Sequence, residues 1–146
     1  MDCHCYLRNG VVYIPTQGMM DKGFYRDVEP VALVPVSNTE ALHRAFTEAI
    51  ARGNPKVAVL RHPNIPPPVV LKYAGVKSWN TFAKRTSSWA IRESDGVFRI
   101  HGYRKDDGGW VPDPAAAETF PREITADQVI DRMIAILQEA ATHRGH

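Results

Sequence analysis

Two β-rich runs, Tyr6-Leu7-Arg8 and Val11-Val12-Tyr13-Ile14, flank the pair Asn9-Gly10. Both turn residues tolerate the positive φ of a two-residue hairpin, so residues 6–14 predict two antiparallel strands. Residues 18–23, bounded by glycines, read as a loop. Residues 28–36 read as a strand whose Pro30 and Pro35 each remove a ladder donor, as expected at an edge or a bulge. Ser37-Asn38-Thr39-Glu40 has the form of a capping box, and Leu42, Ala45, Phe46, Ala49 and Ile50 follow at helical spacing. Arg52-Gly53-Asn54-Pro55 supplies a late cation, a left-handed terminator and a breaker, so this first helix ends near Arg52.

Beyond it, residues 56–61 read as a short strand. Pro63, Pro66, Pro67 and Pro68 then fix an extended segment stiff enough to bridge two faces of a fold. Residues 69–73 suggest another strand, and residues 76–85, with Trp79, Phe82 and Ala83 at helical spacing, a short helix. Trp89-Ala90-Ile91 and Val97-Phe98-Arg99-Ile100 flank Ser94-Asp95-Gly96, a second hairpin signal, and residues 104–114 form a polar loop around Trp110. Thr125 and Gln128 make a second capping box with Ile124 and Val129 as its hydrophobic staple. Ile130, Met133, Ile134, Leu137 and Ala140 continue it as one apolar stripe. The order predicts an α+β fold in one domain, residues 1–146: a mainly antiparallel sheet with two longer helices and one short helix packed on it. No sequence repeat or domain boundary is evident.

Length agrees with that picture, because 146 residues can bury roughly two thirds of the unfolded surface without disulfides or metals. Charge narrows the partners. Eighteen basic and 16 acidic side chains leave a net charge of +2, too little to steer nucleic acid without a local patch. Neither a secretory signal nor an apolar run long enough to span a bilayer is visible, so a cytoplasmic location with no membrane partner is expected. In that compartment Cys3 and Cys5, one residue apart, stay as thiols.

Chemistry-bearing motifs are sparse. Cys3-His4-Cys5 lacks the spacing and the second pair of a zinc loop, so no metal and no cofactor are expected. His43, His62, His101, His143 and His146 are scattered; His43 reads as a partly exposed helix residue, and His143 and His146 as fraying with the C-terminus. The serine-hydrolase elbow, the phosphate loop and the dinucleotide fingerprint are absent from the sequence, and Gly108-Gly109 reads as a turn. Thiol catalysis would require an imidazole such as His101 to reach Cys3 or Cys5. Asp21, Asp27 and Glu29 could cluster for acid/base work or metal, but their spacing around a strand equally gives a solvated edge, the reading preferred here. The chain is therefore expected to bind rather than catalyse.

Two patches could carry that binding. Lys72, Lys77, Lys84 and Arg85 interleave with Tyr73, Trp79 and Phe82, the ingredients of a nucleic-acid surface, although aromatics at helical spacing also make a core. Asp106, Asp107 and Asp113 surround Trp110, an anchor and charge complement for a protein partner if the ring is exposed.

Gly23-Phe24-Tyr25 leading into Glu29-Pro30-Val31, the run from Ala49 to Pro55, Lys72-Tyr73-Ala74-Gly75-Val76-Lys77-Ser78-Trp79, and Gly109-Trp110 give the chain a further aspect. In these segments it resembles immunity proteins of bacterial contact-dependent growth inhibition and related polymorphic toxin systems. The resemblance implies a small cytoplasmic inhibitor without catalytic residues that binds one cognate toxin, often a nuclease. One departure stands out: many nuclease inhibitors present a strongly acidic face, whereas this chain has a sequence pI of about 8.6. Asp106, Asp107 and Asp113 would then supply acidity locally.

Overall fold

A computed structural model describes residues 1–21, 23–61, 63, 65–106 and 109–143. Asp107, Gly108, His62 and His146, named above, lie outside the described residues.

Strands β1 (Asp2–Arg8) and β2 (Val11–Asp21) turn at Asn9 and Gly10, whose φ values of 51° and 75° are those the Asn-Gly pair predicts. Asp95 and Gly96, at 55° and 75°, make the same turn between β4 (Thr86–Ser94) and β5 (Val97–Asp106). With β3 (Phe24–Pro35) and β6 (Gly109–Thr119), the described residues build one antiparallel sheet in the order β3-β2-β1-β4-β5-β6. Each half of the chain is a three-stranded meander followed by a long helix, α1 (Thr39–Arg52) or α4 (Ala126–His143).

Alternation along the strands separates two cores. Cys3, Cys5 and Leu7 of β1 join Val12, Ile14, Val34, Ile91 and Ile100 beneath α1 and α4. Leu42 and Phe46 of α1, and Val129, Ile130, Met133, Ile134 and Leu137 of α4, close that side. On the opposite face the cross-strand pair Tyr6 and Tyr13 packs with Val70, Leu71 and Phe82 from two short helices, α2 (Val70–Ala74) and α3 (Trp79–Ala83). The α+β sheet with two long helices therefore stands, with a second short helix added.

That second helix replaces the strand expected at 69–73. Pro68 enters it from upstream, where its missing N–H costs nothing, and its carbonyl accepts from Leu71 N at 3.1 Å. Gly75, at φ 70°, ends the turn, so Val70 and Leu71 reach the sheet together as alternating strand positions could not. Residues 56–61 are not a strand either. Only Lys56 bridges to Met19, and the gap between β1 and β2 is filled instead by Asn54, whose amide donates to Asp2 O at 2.8 Å and Gln17 O at 2.9 Å.

Both expected loops, 18–23 and 104–114, are largely strand. Glycine suggested a loop, yet Gly18 is a point of close approach: a Cβ there would lie 2.7 Å from Val57 Cγ1. The polar stretch after Arg104 pairs across β5 and β6, from Arg104 with Val111 to Asp106 with Gly109. The α1 cap falls on Asn38 rather than Ser37, its side-chain oxygen accepting from Ala41 N at 3.1 Å. The short helix expected over 76–85 is narrower and begins after its cap, Ser78.

The second capping box forms as read. Thr125 Oγ1 accepts from Gln128 N at 3.2 Å, and Gln128 Oε1 accepts from Thr125 N at 3.0 Å. Thr125→Ala should lower stability by about 1 kcal/mol, measurable by urea unfolding. A null change would show that packing of α4 alone sets its start.

Candidate functional site

The face carrying α2 and α3 is only partly covered. The described residues of 57–69 lead from α1 on one face of the sheet to α2 on the other, the bridging role expected of the proline-rich segment. Between that strap, the short helices and β3 lies a cleft of about 1010 Å³.

Its floor is polar. Gln17 and Asp27 are cross-strand partners on β2 and β3, and the Asp27 carboxylate accepts from the Gln17 amide and, at 2.7 Å, from the Tyr6 hydroxyl. Burial, and then the Asp27 charge, push the Tyr6 phenol well above its ordinary range. The expected solvated edge is thus split: Asp21 is exposed, Asp27 is drawn into the cleft, and Glu29 is engaged at its rim. Lys72 Nζ lies 2.5 Å from Glu29 Oε2, and Tyr73 donates to Oε1 at 2.6 Å. The Lys72 contact, followed by that of Tyr73, holds the Glu29 carboxyl below its usual value.

His4 lines the cleft and also begins a polar cluster on the open half of the same face. Its Nε2 is 3.0 Å from Asp2 Oδ1, its ring stacks on Tyr103 at 6.0 Å, and Arg92 reaches both Asp2 (3.5 Å) and the Tyr103 hydroxyl (2.8 Å). Burial works to raise the Asp2 pKa, but His4 and Arg92 outweigh it and hold the carboxyl below its ordinary value. Burial, then the charges of Arg92 and Arg99, lower the pKa of His101.

The thiols are excluded from this cluster by strand alternation. Cys3 and Cys5 point into the α1/α4 core, while His4 faces the other way. Burial and the neighbouring Asp2 charge push the Cys3 thiol up to about 12, and burial raises Cys5 well above its ordinary value. Imidazole and carboxylate meet on one side of the sheet and thiol stays on the other. On α1, His43 is partly exposed as expected, with Nε2 3.6 Å from both Asp127 and Asp131 of α4.

The two patches read from sequence are placed differently. Lys72 is paired with Glu29, Lys77 lines the cleft, and Lys84 and Arg85 follow α3 as exposed residues. Phe82 is fully buried and Trp79 stacks on it at 5.4 Å, so these two rings pack inward beneath the cations. In the β5–β6 hairpin the register puts Trp110 with Lys105 on one side, and Asp106 and Asp113 on the other. Trp110 is half-buried with Lys105 Nζ 5.5 Å from its ring centre, and Asp113 Oδ1 accepts from Ala115 N at 3.1 Å.

Tyr6, Gln17 and Asp27 were not singled out as a group from sequence. The available signal was that two polar residues, Gln17 and Asp27, become cross-strand partners if 18–23 is read as a hairpin end.

An open six-stranded antiparallel sheet, with long helices on one face and a cleft under short ones on the other, has counterparts among solved structures. A protein of unknown function from Neisseria meningitidis matches with a TM-score of 0.66 at 13% identity, over 95% of this chain and 93% of that one. A chain of the CdiA-CT/CdiI toxin and immunity complex from Yersinia pseudotuberculosis matches with a TM-score of 0.61 at 10% identity, over 92% and 94%. At these identities the likeness is one of fold. No protein-family model and no curated protein matches the sequence. Among the described residues, no helix is long and apolar enough to cross a membrane.

Proposed function

We propose that this chain is an immunity protein that neutralises one cognate bacterial toxin in the cytoplasm by contact, without chemistry of its own. The observation that carries the reading is the fold shared along nearly the whole chain with a chain of a toxin and immunity complex. The segments that resemble contact-dependent growth inhibition immunity proteins point the same way from the sequence side.

For the partner surface we take the end of the β5–β6 hairpin. Trp110 supplies an apolar ring on one side and Asp106 and Asp113 supply acidity on the other, so a partner gripping the hairpin end meets both. Asp107 adds a further carboxylate in the sequence between them.

The test is to look for a toxin domain encoded directly upstream and to co-express it with this chain. Wild-type chain should restore growth and bind the purified toxin domain in a titration. Asp106→Lys combined with Asp107→Lys should weaken that binding by at least about a hundredfold, because like charges are brought together across the contact. Growth arrest that persists with wild-type chain would remove the immunity reading. Rescue together with an unchanged affinity in the double variant would keep the reading and move the interface elsewhere.

A further inference from the structure

The half of the sheet that α2 and α3 leave uncovered presents β5 as a row of side chains. Arg99, His101, Tyr103 and Lys105 alternate with Ile100 and Gly102, which are buried on the helix side, so all four project from the open face. At about 3.3 Å per residue the row runs for about 20 Å. Beside it stand His4, whose ring stacks on Tyr103, and Arg92, the cross-strand partner of Arg99.

Positive charge is in excess here. Among the described residues, Arg92, Arg99 and Lys105 share this half of the face with one carboxylate, Asp2, which is 5% exposed and already held by His4 and Arg92. The register turns the acids of β5 and β6, Asp106, Asp113 and Glu118, to the opposite side, where Glu118 meets Arg132 of α4. Arg92 and Arg99 lie directly opposite one another, an arrangement of like charges that weakens a strand pair and that an anion between them would relieve. Arg92 contacts Asp2 and the Tyr103 hydroxyl, whereas among the described residues no hydrogen bond or ion pair holds Arg99. Burial, and after it these two guanidinium charges, lower the pKa of His101 between the strands.

We propose that this open face binds single-stranded nucleic acid, its phosphates on Arg92, Arg99 and Lys105 and its bases against the rings of Tyr103 and His101. Cations that track a backbone and rings on which bases stack are the two requirements of such a surface, and both occur along one strand. An acidic polypeptide would satisfy the guanidinium groups and leave the rings unused. A duplex keeps its bases stacked on one another and offers the face only phosphate. The small net charge of the chain is no obstacle, because the excess is local. The proposal does not rest on the toxin reading, and its residues are separate from the run between Lys72 and Arg85.

Fluorescence anisotropy of a labelled oligodeoxythymidylate of about ten residues, titrated with the full chain, reads the binding. Saturable binding is expected, at least about tenfold tighter than to a duplex of equal length or to polyglutamate, with log K falling against log salt at a slope of about −2 for three phosphate contacts. Arg99→Gln should weaken it by about tenfold and Arg99→Glu should abolish it. Since no contact of the fold holds Arg99, both variants should keep the wild-type circular dichroism spectrum. Tyr103→Leu should cost at least about fivefold through lost stacking, while Tyr103→Phe, which keeps the ring, should stay within about twofold of wild type. Lys77→Gln combined with Lys84→Gln should change nothing. If Tyr103→Leu unfolds, the two Arg99 variants decide. Binding that does not saturate, equal affinity for polyglutamate, affinity retained in Arg99→Glu or in folded Tyr103→Leu, or a loss confined to the Lys77 and Lys84 variant overturns the proposal.

Discussion

Replacing Phe82 by alanine is expected to lower the unfolding free energy by about 3–5 kcal/mol and to release both short helices from the sheet. Phe82 is fully buried, with its ring edge-on to Tyr6 at 5.5 Å and to Tyr13 at 5.6 Å, and stacked with Trp79 at 5.4 Å. The helices α2 and α3 span five residues each, too few to persist without tertiary packing. Truncation at position 82 removes the one ring that touches both strand tyrosines and Trp79, and with it the support for the cleft wall. Urea unfolding followed by circular dichroism measures the loss, and Trp fluorescence reports the release of Trp79. A change under about 1 kcal/mol would mean that α2 and α3 are held by something other than this cluster.

The second large effect concerns the thiols. In an unfolded chain Cys3 would lose its proton near its ordinary value of 9.0, whereas burial in the fold delays that to about 12. Between those values the unfolded state binds fewer protons than the native one, so stability must fall as pH rises. The contribution is fully present below pH 9 and is lost through the window, on the order of 4 kcal/mol for Cys3 alone. Cys5 and the Tyr6 hydroxyl, both raised chiefly by burial, act in the same direction. Equilibrium unfolding at a series of alkaline pH values should show this decline. At pH 8 the native thiols should react with iodoacetamide at least about a thousandfold more slowly than in denaturant, following the thiolate fraction. Rapid native-state labelling would place the thiols at the surface and contradict the separation of Cys3 and His4 across the sheet.

What was legible in the sequence follows from how local each signal is. Asn9-Gly10, Asp95-Gly96 and the Thr125–Gln128 box need only near neighbours to form, and all three are present. The apolar stripe of α4 is read from spacing alone, and its members are buried as expected. Residues 69–73 illustrate the opposite case. A short apolar run fits strand or helix equally, and only packing against Tyr6 and Tyr13, some 60 positions away, selects the helix. The strands beyond Gly18 and Arg104 were hidden for a related reason: their polar composition reads as loop, whereas long hairpins at the sheet margins tolerate polar residues on solvated faces.

Of the site, the acidic residues of β3 were visible but their division was not. Asp27 enters the cleft and Glu29 meets Lys72 because a strand edge is bent against a strap and a helix that lie 30 or more positions further on. Of the two alternatives weighed for the run from Lys72 to Arg85, the structure shows the core one for its aromatics. Phe82 belongs to the core, while Lys77 faces the cleft.

The strand order carries a consequence for how the polypeptide could be divided. β1, β2, β3 and α1 all precede residues 57–69, and β4, β5, β6 and α4 all follow them. The seam between the two sets is the β1–β4 ladder, running from Asp2 with Arg92 to Arg8 with Thr86, beneath a core to which both sets contribute. A chain severed within the strap would leave two fragments that each keep a complete meander and a long helix. Each would display one unsatisfied strand edge complementary to the other, which is the arrangement required for reconstitution from separate peptides.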